Sequence, residues 1–253
     1  MATTIQTIEL PKKARALDTS GNNNHGQIYS GRGLEFDGVT DYLNTGYIAS
    51  AQGITNDITV ACWLRTTDVT ASQFVFNFYQ STSDAFGLKI NSSTIFINND
   101  VDDASADIYA TTISNNTWYR VVVVIDSLQM KLYLNGVLVG SGSSTADGLD
   151  SFTSNLYMGD RKGSGGASYF TGMMSDFQVW DSVWTAADVT YDYLNPESLA
   201  LNGGGTALTE SNLKLWYPMQ DGHRGQQSYI LDGANTGLGD EMITNGDFSS
   251  GST

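Results

Sequence analysis

The sequence predicts an all-β fold, a sandwich of two antiparallel sheets with one short helix. Three observations predict it. Apolar and polar residues alternate with period two through many short segments. Asn135-Gly136 separates two β-rich runs, and such a pair is the strongest short hairpin signal because both central residues need positive φ. Only one segment, opening at Thr185, carries a convincing helix start.

The elements follow in order. Strands are predicted at Gly33–Phe36 and Asp41–Thr45, and Ile58-Thr-Val-Ala-Cys-Trp-Leu-Arg65 alternates cleanly. Gln73–Phe78, Phe86–Ile90 and Thr94–Ile97 come next. Trp118 to Ile125 is continuously apolar apart from Arg120, the pattern of a central strand covered on both faces. Leu132–Leu134 and Val137–Val139 flank the Asn-Gly turn, and Leu156–Gly159 and Met173–Trp180 complete the set. Ten or more short strands at regular spacing indicate a sandwich. Thr185-Ala-Ala-Asp188 reads as a capping box whose helix runs to about Leu194 and stops before Pro196. Gly/Ser/Asp-rich stretches at Ser141–Asp150, Arg161–Ser168 and Leu201–Thr206 are predicted loops.

Composition narrows the function. The chain has 253 residues, with 12 basic and 27 acidic groups, for a formal charge of −15. That field repels phosphate backbones and anionic lipids, so neither nucleic acid nor a membrane surface is an expected partner. The longest apolar run, Val121–Ile125, is far short of the roughly 20 residues that span a bilayer. Met1 to Leu17 shows no apolar stretch of the secretory type. The single cysteine, Cys62, lies in an alternating apolar run and reads as a small buried hydrophobe.

Several motifs carry a family resemblance. Asp18-Thr-Ser-Gly-Asn-Asn-Asn-His-Gly26 precedes Leu34-Glu-Phe-Asp-Gly38 and Asp41-Tyr42. Then come Asp57 to Leu64, Thr117-Trp-Tyr-Arg-Val121, Met130 to Leu138, and Phe170 to Trp180 with Trp184-Thr-Ala-Ala-Asp-Val189. In this order they resemble a concanavalin A-like jelly roll of the laminin G/pentraxin type, over about residues 15–235. The resemblance implies a two-sheet antiparallel jelly roll. One departure stands out: the opening Trp strand of such domains is absent from Ile5–Leu10, while Leu213-Lys-Leu-Trp-Tyr-Pro-Met-Gln-Asp-Gly222 matches it near the other end. Residues 213–219 are therefore expected to return as a closing strand beside the N-terminal strand. The jelly roll is expected to occupy 1–240. Residues 241–253 resemble the start of a following galactose-binding-like module, or form a tail.

The residues argue against catalysis. A glycosidase needs two flanking carboxylates, and the Glu-x-Asp-x-x-Glu strand of concanavalin A-like glucanases is missing: Met173–Trp180 holds only Asp176. Calcium takes six to eight oxygens from loop carboxylates, amides and carbonyls. Asp18 and Asn22, with Asp37 and Asp41 brought close by the resemblance, form one candidate set. Asp84 and Asp160 fall where pentraxins hold ligand-binding calcium, but the neighbouring positions are Ala85 and Arg161, and Arg161 would oppose a cation. Tyr79, Tyr109 and Tyr169, with Asn98, Asn99, Asp84 and Asp160 nearby, are candidate glycan-contacting residues because sugars need aromatic faces and planar polar groups.

The resulting expectation is a non-enzymatic lectin-like module of a viral particle, a bacteriophage structural or appendage protein assembled in host cytoplasm. It would bind host-surface glycan or other virion subunits and self-associate as a homo-oligomer, with Ca²⁺ as a candidate cofactor. The alternative is a secreted or cell-surface bacterial carbohydrate-binding module cut from a larger protein.

Overall fold

The structure, a computed structural model, describes residues 33–219 with breaks at 55–56, 82–84, 102–103, 106, 128, 144–152, 162–167, 197 and 203–206, and two short strands ahead of them. In chain order the strands are β1 (Arg15–Ala16), β2 (Gly26–Gln27), β3 (Leu34–Asp37), β4 (Leu43–Ile48), β5 (Asp57–Thr66), β6 (Gln73–Tyr79), β7 (Ala85–Asn91) and β8 (Thr94–Val101). They continue as β9 (Ala104–Ser105), β10 (Ile108–Thr112), β11 (Tyr119–Asp126), β12 (Gln129–Leu134), β13 (Val137–Ser143), β14 (Asn155–Met158), β15 (Thr171–Trp180) and β16 (Leu213–Tyr217), with α1 (Ala186–Leu194) before the last. One seven-stranded antiparallel sheet runs β13-β12-β11-β5-β15-β16, with β3 also on β15. The other runs β10-β8-β7-β6-β14-β4, with β9 on β8. The predicted two-sheet sandwich with one helix is the observed architecture. The main difference is β10, whose Ile-Tyr-Ala-Thr-Thr carries no clean alternation.

Alternation fixes the interior. Val60, Cys62 and Leu64 of β5 and Val121, Val123 and Ile125 of β11 face Phe76, Phe78, Phe86, Leu88, Ile95 and Ile97 of the second sheet in one apolar core. The residues between them on β5 and β11, Ala61, Val122 and Val124, join Trp180, Trp184 and Val189 in a second cluster under α1. Hence the run Trp118–Ile125 is apolar throughout: β11 is covered on both faces, as its composition predicts. The hairpin turn sits at Asn135 (φ +51°) and Gly136 (φ +81°), as its dipeptide requires.

The helix begins where predicted. Thr185 Oγ1 accepts from the Asp188 amide at 3.3 Å, and Asp188 Oδ2 accepts from the Thr185 amide at 2.7 Å, a complete capping box. Trp184 meets Trp180 edge-on, ring centroids 5.4 Å apart, and pins the helix start to β15.

A buried ionic knot holds the helix down. Arg120, 1% exposed, points from β11 toward α1. Its Nε and Nη2 donate to the two oxygens of Asp192, also buried, at 2.6 and 2.7 Å, a bidentate pair. Its Nη1 reaches both the Asp176 carbonyl and an Asp176 carboxylate oxygen at 3.0 Å. Asp176 also accepts from Gln178 and from the Trp216 indole, each at 2.8 Å. It sits at φ +48°, inside a register shift between β15 and β5. The bulge turns this lone strand carboxylate toward the knot.

Residues 213–217 form a strand. They pair with Phe177–Trp180 of β15, end to end with β3, which pairs with Thr171–Met174. β15 is longer than β3, so β16 fills the rest of its open flank and satisfies backbone groups that would otherwise be orphaned. The expected N-terminal partner at Ile5–Leu10 lies outside the described residues, as does the tail 241–253.

Asp192→Ala leaves the Arg120 charge with half its partners in a dry site. It is expected to lower unfolding free energy by about 3–5 kcal/mol in denaturant titration. Asp126→Ala, which removes an exposed pair with Lys131 at 3.6 Å, should cost under about 1 kcal/mol. Equal effects would count against the knot. Burial pushes the Cys62 thiol up to about 12, so labelling by a thiol reagent at pH 8 should require unfolding; fast native labelling would contradict this placement.

Candidate functional site

The two outer sheet faces differ. On the first sheet α1, Trp184 and Leu208 cover the outside. On the second sheet the outward residues are polar or aromatic, and no helix among the described residues lies over them. Register identifies them. Phe96, Lys89 and Phe74 are cross-strand neighbours on β8, β7 and β6. The next row is Asn98, Gly87, Asn77 and Tyr157, ending at Asn44 of β4. Tyr79 pairs with Ala85 in the row beyond. Tyr42, 42% exposed, packs against Tyr157 at 6.5 Å between centroids, so two tyrosines extend this face toward β4.

Within this surface Asn77, Tyr79, Asp160 and Arg161 form one constellation. The chain leaves β14 at Gly159, whose amide donates to the Val75 carbonyl at 2.9 Å. A φ of +80° turns it, and a Cβ there would strike Phe36, so the turn needs glycine. Asp160 follows, fully buried, and its Oδ1 accepts from the Arg161 amide at 2.6 Å. The Asn77 side-chain amide donates to the Arg161 carbonyl at 2.8 Å and fixes the chain above the sheet. The Asn77 Oδ1 is buried without a hydrogen bond. It lies over Gly87, where an added Cβ would come within 2.5 Å of it. The Arg161 guanidinium stands 5.6 Å from the Tyr79 ring centroid. Lys89 holds its ammonium 5.2 and 5.7 Å from the Phe74 and Phe96 rings.

The expected site residues fall out as follows. Tyr79 and Asp160 belong to this constellation. Tyr169 is half-buried on the segment that runs beside it: the Ser168 carbonyl accepts from the Phe74 amide at 2.9 Å and the Phe170 amide donates to Gly159 at 2.8 Å. Tyr109 is the register partner of Phe96 on β10. Asp84 lies outside the described residues. Asn98 is on this face, where it donates to Asp107 at 3.2 Å. Asn99 is paired with Phe86 and turns to the interior, 1% exposed, its amide without a hydrogen bond. Asn77, Tyr157 and Tyr42 were not singled out by the sequence. Their signal is the outward phase of β6 and β14, legible only once interior and exterior are assigned.

The proposed calcium set is seen only at Asp37 and Asp41, because Asp18 and Asn22 lie outside the described residues. Asp37 Oδ1 accepts from the amides of Val39, Thr40 and Asp41 at 2.7, 2.8 and 3.0 Å, and Oδ2 accepts from the Thr40 hydroxyl at 3.1 Å. Asp41 returns the bond through its carboxylate to the Asp37 amide at 3.0 Å. These bonds close the turn between Asp37 and Asp41 on itself. Among the described residues no three His, Cys, Asp or Glu side chains cluster as metal ligands. The amides of Thr40, Val39 and Asp41 hold the Asp37 carboxyl well below the usual carboxylate range.

The sequence profile of the family described as the concanavalin A-like lectin/glucanases superfamily matches residues 37–190. No curated protein matches the sequence. Among solved structures, a putative carbohydrate binding protein from Bacteroides ovatus is similar with a TM-score of 0.58 at 15% identity, covering 86% of this chain and 61% of that one. The CBM40 of Ruminococcus gnavus IT-sialidase, solved with α2,3-sialyllactose, is similar with a TM-score of 0.52 at 19% identity, covering 63% of this chain and 95% of that one.

The depressed Asp37 acidity has a pH consequence. A carboxyl more acidic folded than unfolded contributes stability that is complete above its unfolded pKa of about 3.9 and is lost as pH falls toward the folded value. Melting temperature is therefore expected to drop below pH 4 less steeply in Asp37→Asn than in the parent. Parallel slopes for the two proteins would refute the assignment.

Proposed function

The chain belongs to the concanavalin A-like lectin/glucanase superfamily, and from that premise we propose a non-catalytic, lectin-like module that binds glycan on the open face of its second sheet. The observation that carries this reading is the Asn77–Tyr79–Arg161 constellation. It sets a half-buried aromatic ring and a half-buried guanidinium side by side, above a buried Asn77 amide that fixes the Arg161 backbone. Glycan recognition uses these groups: apolar sugar faces rest on rings, and hydroxyls pair with planar donors and acceptors. The Bacteroides ovatus and Ruminococcus gnavus folds, one named for carbohydrate binding and the other solved with a sialylated sugar, support the same reading.

The non-catalytic part rests on Asp176, the carboxylate in the strand where a glucanase would carry its acids. It is committed to Arg120, Gln178 and Trp216. A general acid or base needs a free oxygen within reach of the scissile bond.

In its finer form the proposal makes the module an appendage of a viral particle, directed at host-surface glycan. The Asp18–Gly26 opening, the capping helix and the Asn212–Gly222 segment, which resemble those of bacteriophage tail and capsid appendages, support it. Immunogold labelling of purified virions tests that role, and export of the chain to a bacterial surface would overturn it in favour of the secreted module.

A glycan array is the direct test of binding. We expect retention of a defined glycan subset, unchanged by chelator, and at least about tenfold weaker binding for Tyr79→Ala with unaltered melting. Tenfold corresponds to about 1.4 kcal/mol, the scale of one stacking or hydrogen-bond contact. No retention on a broad array, or a mutant that binds as the parent does, would defeat the proposal.

A further inference from the structure

We infer that the site built on Tyr79 and Arg161 selects acidic glycans, those carrying a sugar carboxylate; the inference rests on the glycan-binding reading above and names its ligand class. Three observations lead to it. The first is an accounting of cations. Among the described residues, Arg120, Lys131 and Lys214 are ion-paired to carboxylates. Arg65 donates to the Asn116 side chain at 2.8 Å. Of the basic residues whose side chains are described, the remaining two, Lys89 and Arg161, lie against aromatic rings and have no ion pair among the described residues. Both lie on the open face of the second sheet. In a chain with 27 acidic groups against 12 basic ones, two cations kept clear of every described carboxylate are a chemical feature of that face.

The second observation is the state of the Arg161 guanidinium. Its Nε is buried without an acceptor. Its Nη groups have no acceptor among the described residues and are not among the buried unsatisfied atoms. A charged donor shut away from both water and protein is disfavoured. A ligand carboxylate arriving at the Nη groups and drawing the plane off Tyr79 would satisfy Nε and one Nη together, in the two-pronged geometry guanidinium and carboxylate share. A neutral hydroxyl satisfies one donor and no charge.

The third is the backing that aims this side chain. Asn77 holds the Arg161 carbonyl and Asp160 Oδ1 takes its amide, so the backbone is fixed while the side chain stays unpaired. Asn77 and Asp160 are thus positioning residues. On β7 Lys89 and Gly87 are two residues apart, about 7 Å along the strand, and Gly87 pairs with Asn77. The Asn77 side chain fills the space over Gly87, so Asn77 stands in the row between Lys89 and the Arg161 corner.

The net charge of −15 opposes any anion at long range. At physiological ionic strength that field is screened within about 8 Å, while a contact pair in a half-buried site is screened far less. The local guanidinium therefore decides selectivity, and the global field slows encounter.

The test uses the whole chain and a panel of oligouronates with their carboxyl-reduced, neutral counterparts, measured by calorimetry at 0.15 M salt. The oligouronates are expected to bind at least about tenfold more tightly than the reduced forms. Arg161→Gln should abolish that preference, and Arg161→Lys should retain part of it. Lys89→Gln gives a second, independent reduction if Arg161 variants fold poorly. Equal binding of acidic and neutral forms overturns the inference and leaves the glycan-binding reading standing. If neither form binds and a broad glycan array is also silent, both fall.

Discussion

Everything in this fold is organised around a guanidinium that has been taken out of water. Arg120 interrupts the apolar run of β11. A charge in that position is tolerated only if every donor is met. Asp192 from α1 meets two of them, and Asp176 from the bulge in β15 meets a third through carbonyl and carboxylate. The knot demands that the helix dock at one rotation and that β15 bend at one residue. A pair of this kind contributes little net stability over an apolar replacement, but losing one partner is costly. Its effect is thus on which arrangement is populated. Trp216 donates to the same Asp176 carboxylate, so the returning strand β16 is held by the same requirement.

That arrangement makes the two outer faces unequal. The first sheet spends its outer face on α1, the paired tryptophans Trp180 and Trp184 and the segment around Leu208. The second sheet carries Lys89, Asn77, Tyr79, Asn98 and Tyr157 in the corresponding phase, a set that does not fill an apolar interface. One face is therefore apolar under the helix and the other mixes polar and aromatic side chains, and both follow from period-two side-chain placement on opposite sheets.

The sequence made the interior legible and left the exterior ambiguous. Alternation in Ile58–Arg65, the Asn135-Gly136 turn and the Thr185–Asp188 box each have a local cause, so each was readable without knowing what lay across the sheet. β10 was not, because its pairing with β8 depends on the partner and its own pattern is weak. The seat of 213–217 on β15 was not readable for a related reason: the motif identified a strand, while the flank of β15 that receives it is a tertiary fact. At the site, Tyr79 and Asp160 were reachable from family resemblance. Asn77 was not, because an Asn between two phenylalanines reads as a break in a core strand until the phase of β6 is fixed.

The same phase logic explains how a site of this shape exchanges one chemistry for another. Asp160 and Arg161 occupy the corner where the chain leaves β14, and the corner geometry is set by Gly159 and by the Phe170 amide that closes it. Neither constraint depends on which side chain stands at position 161. Asp160 is turned inward by the backbone amide of residue 161, a bond that any side chain at that position would allow, and the arginine lays a guanidinium on Tyr79. The backbone thus supplies the place, and the side chain at position 161 sets the sign of the charge presented there.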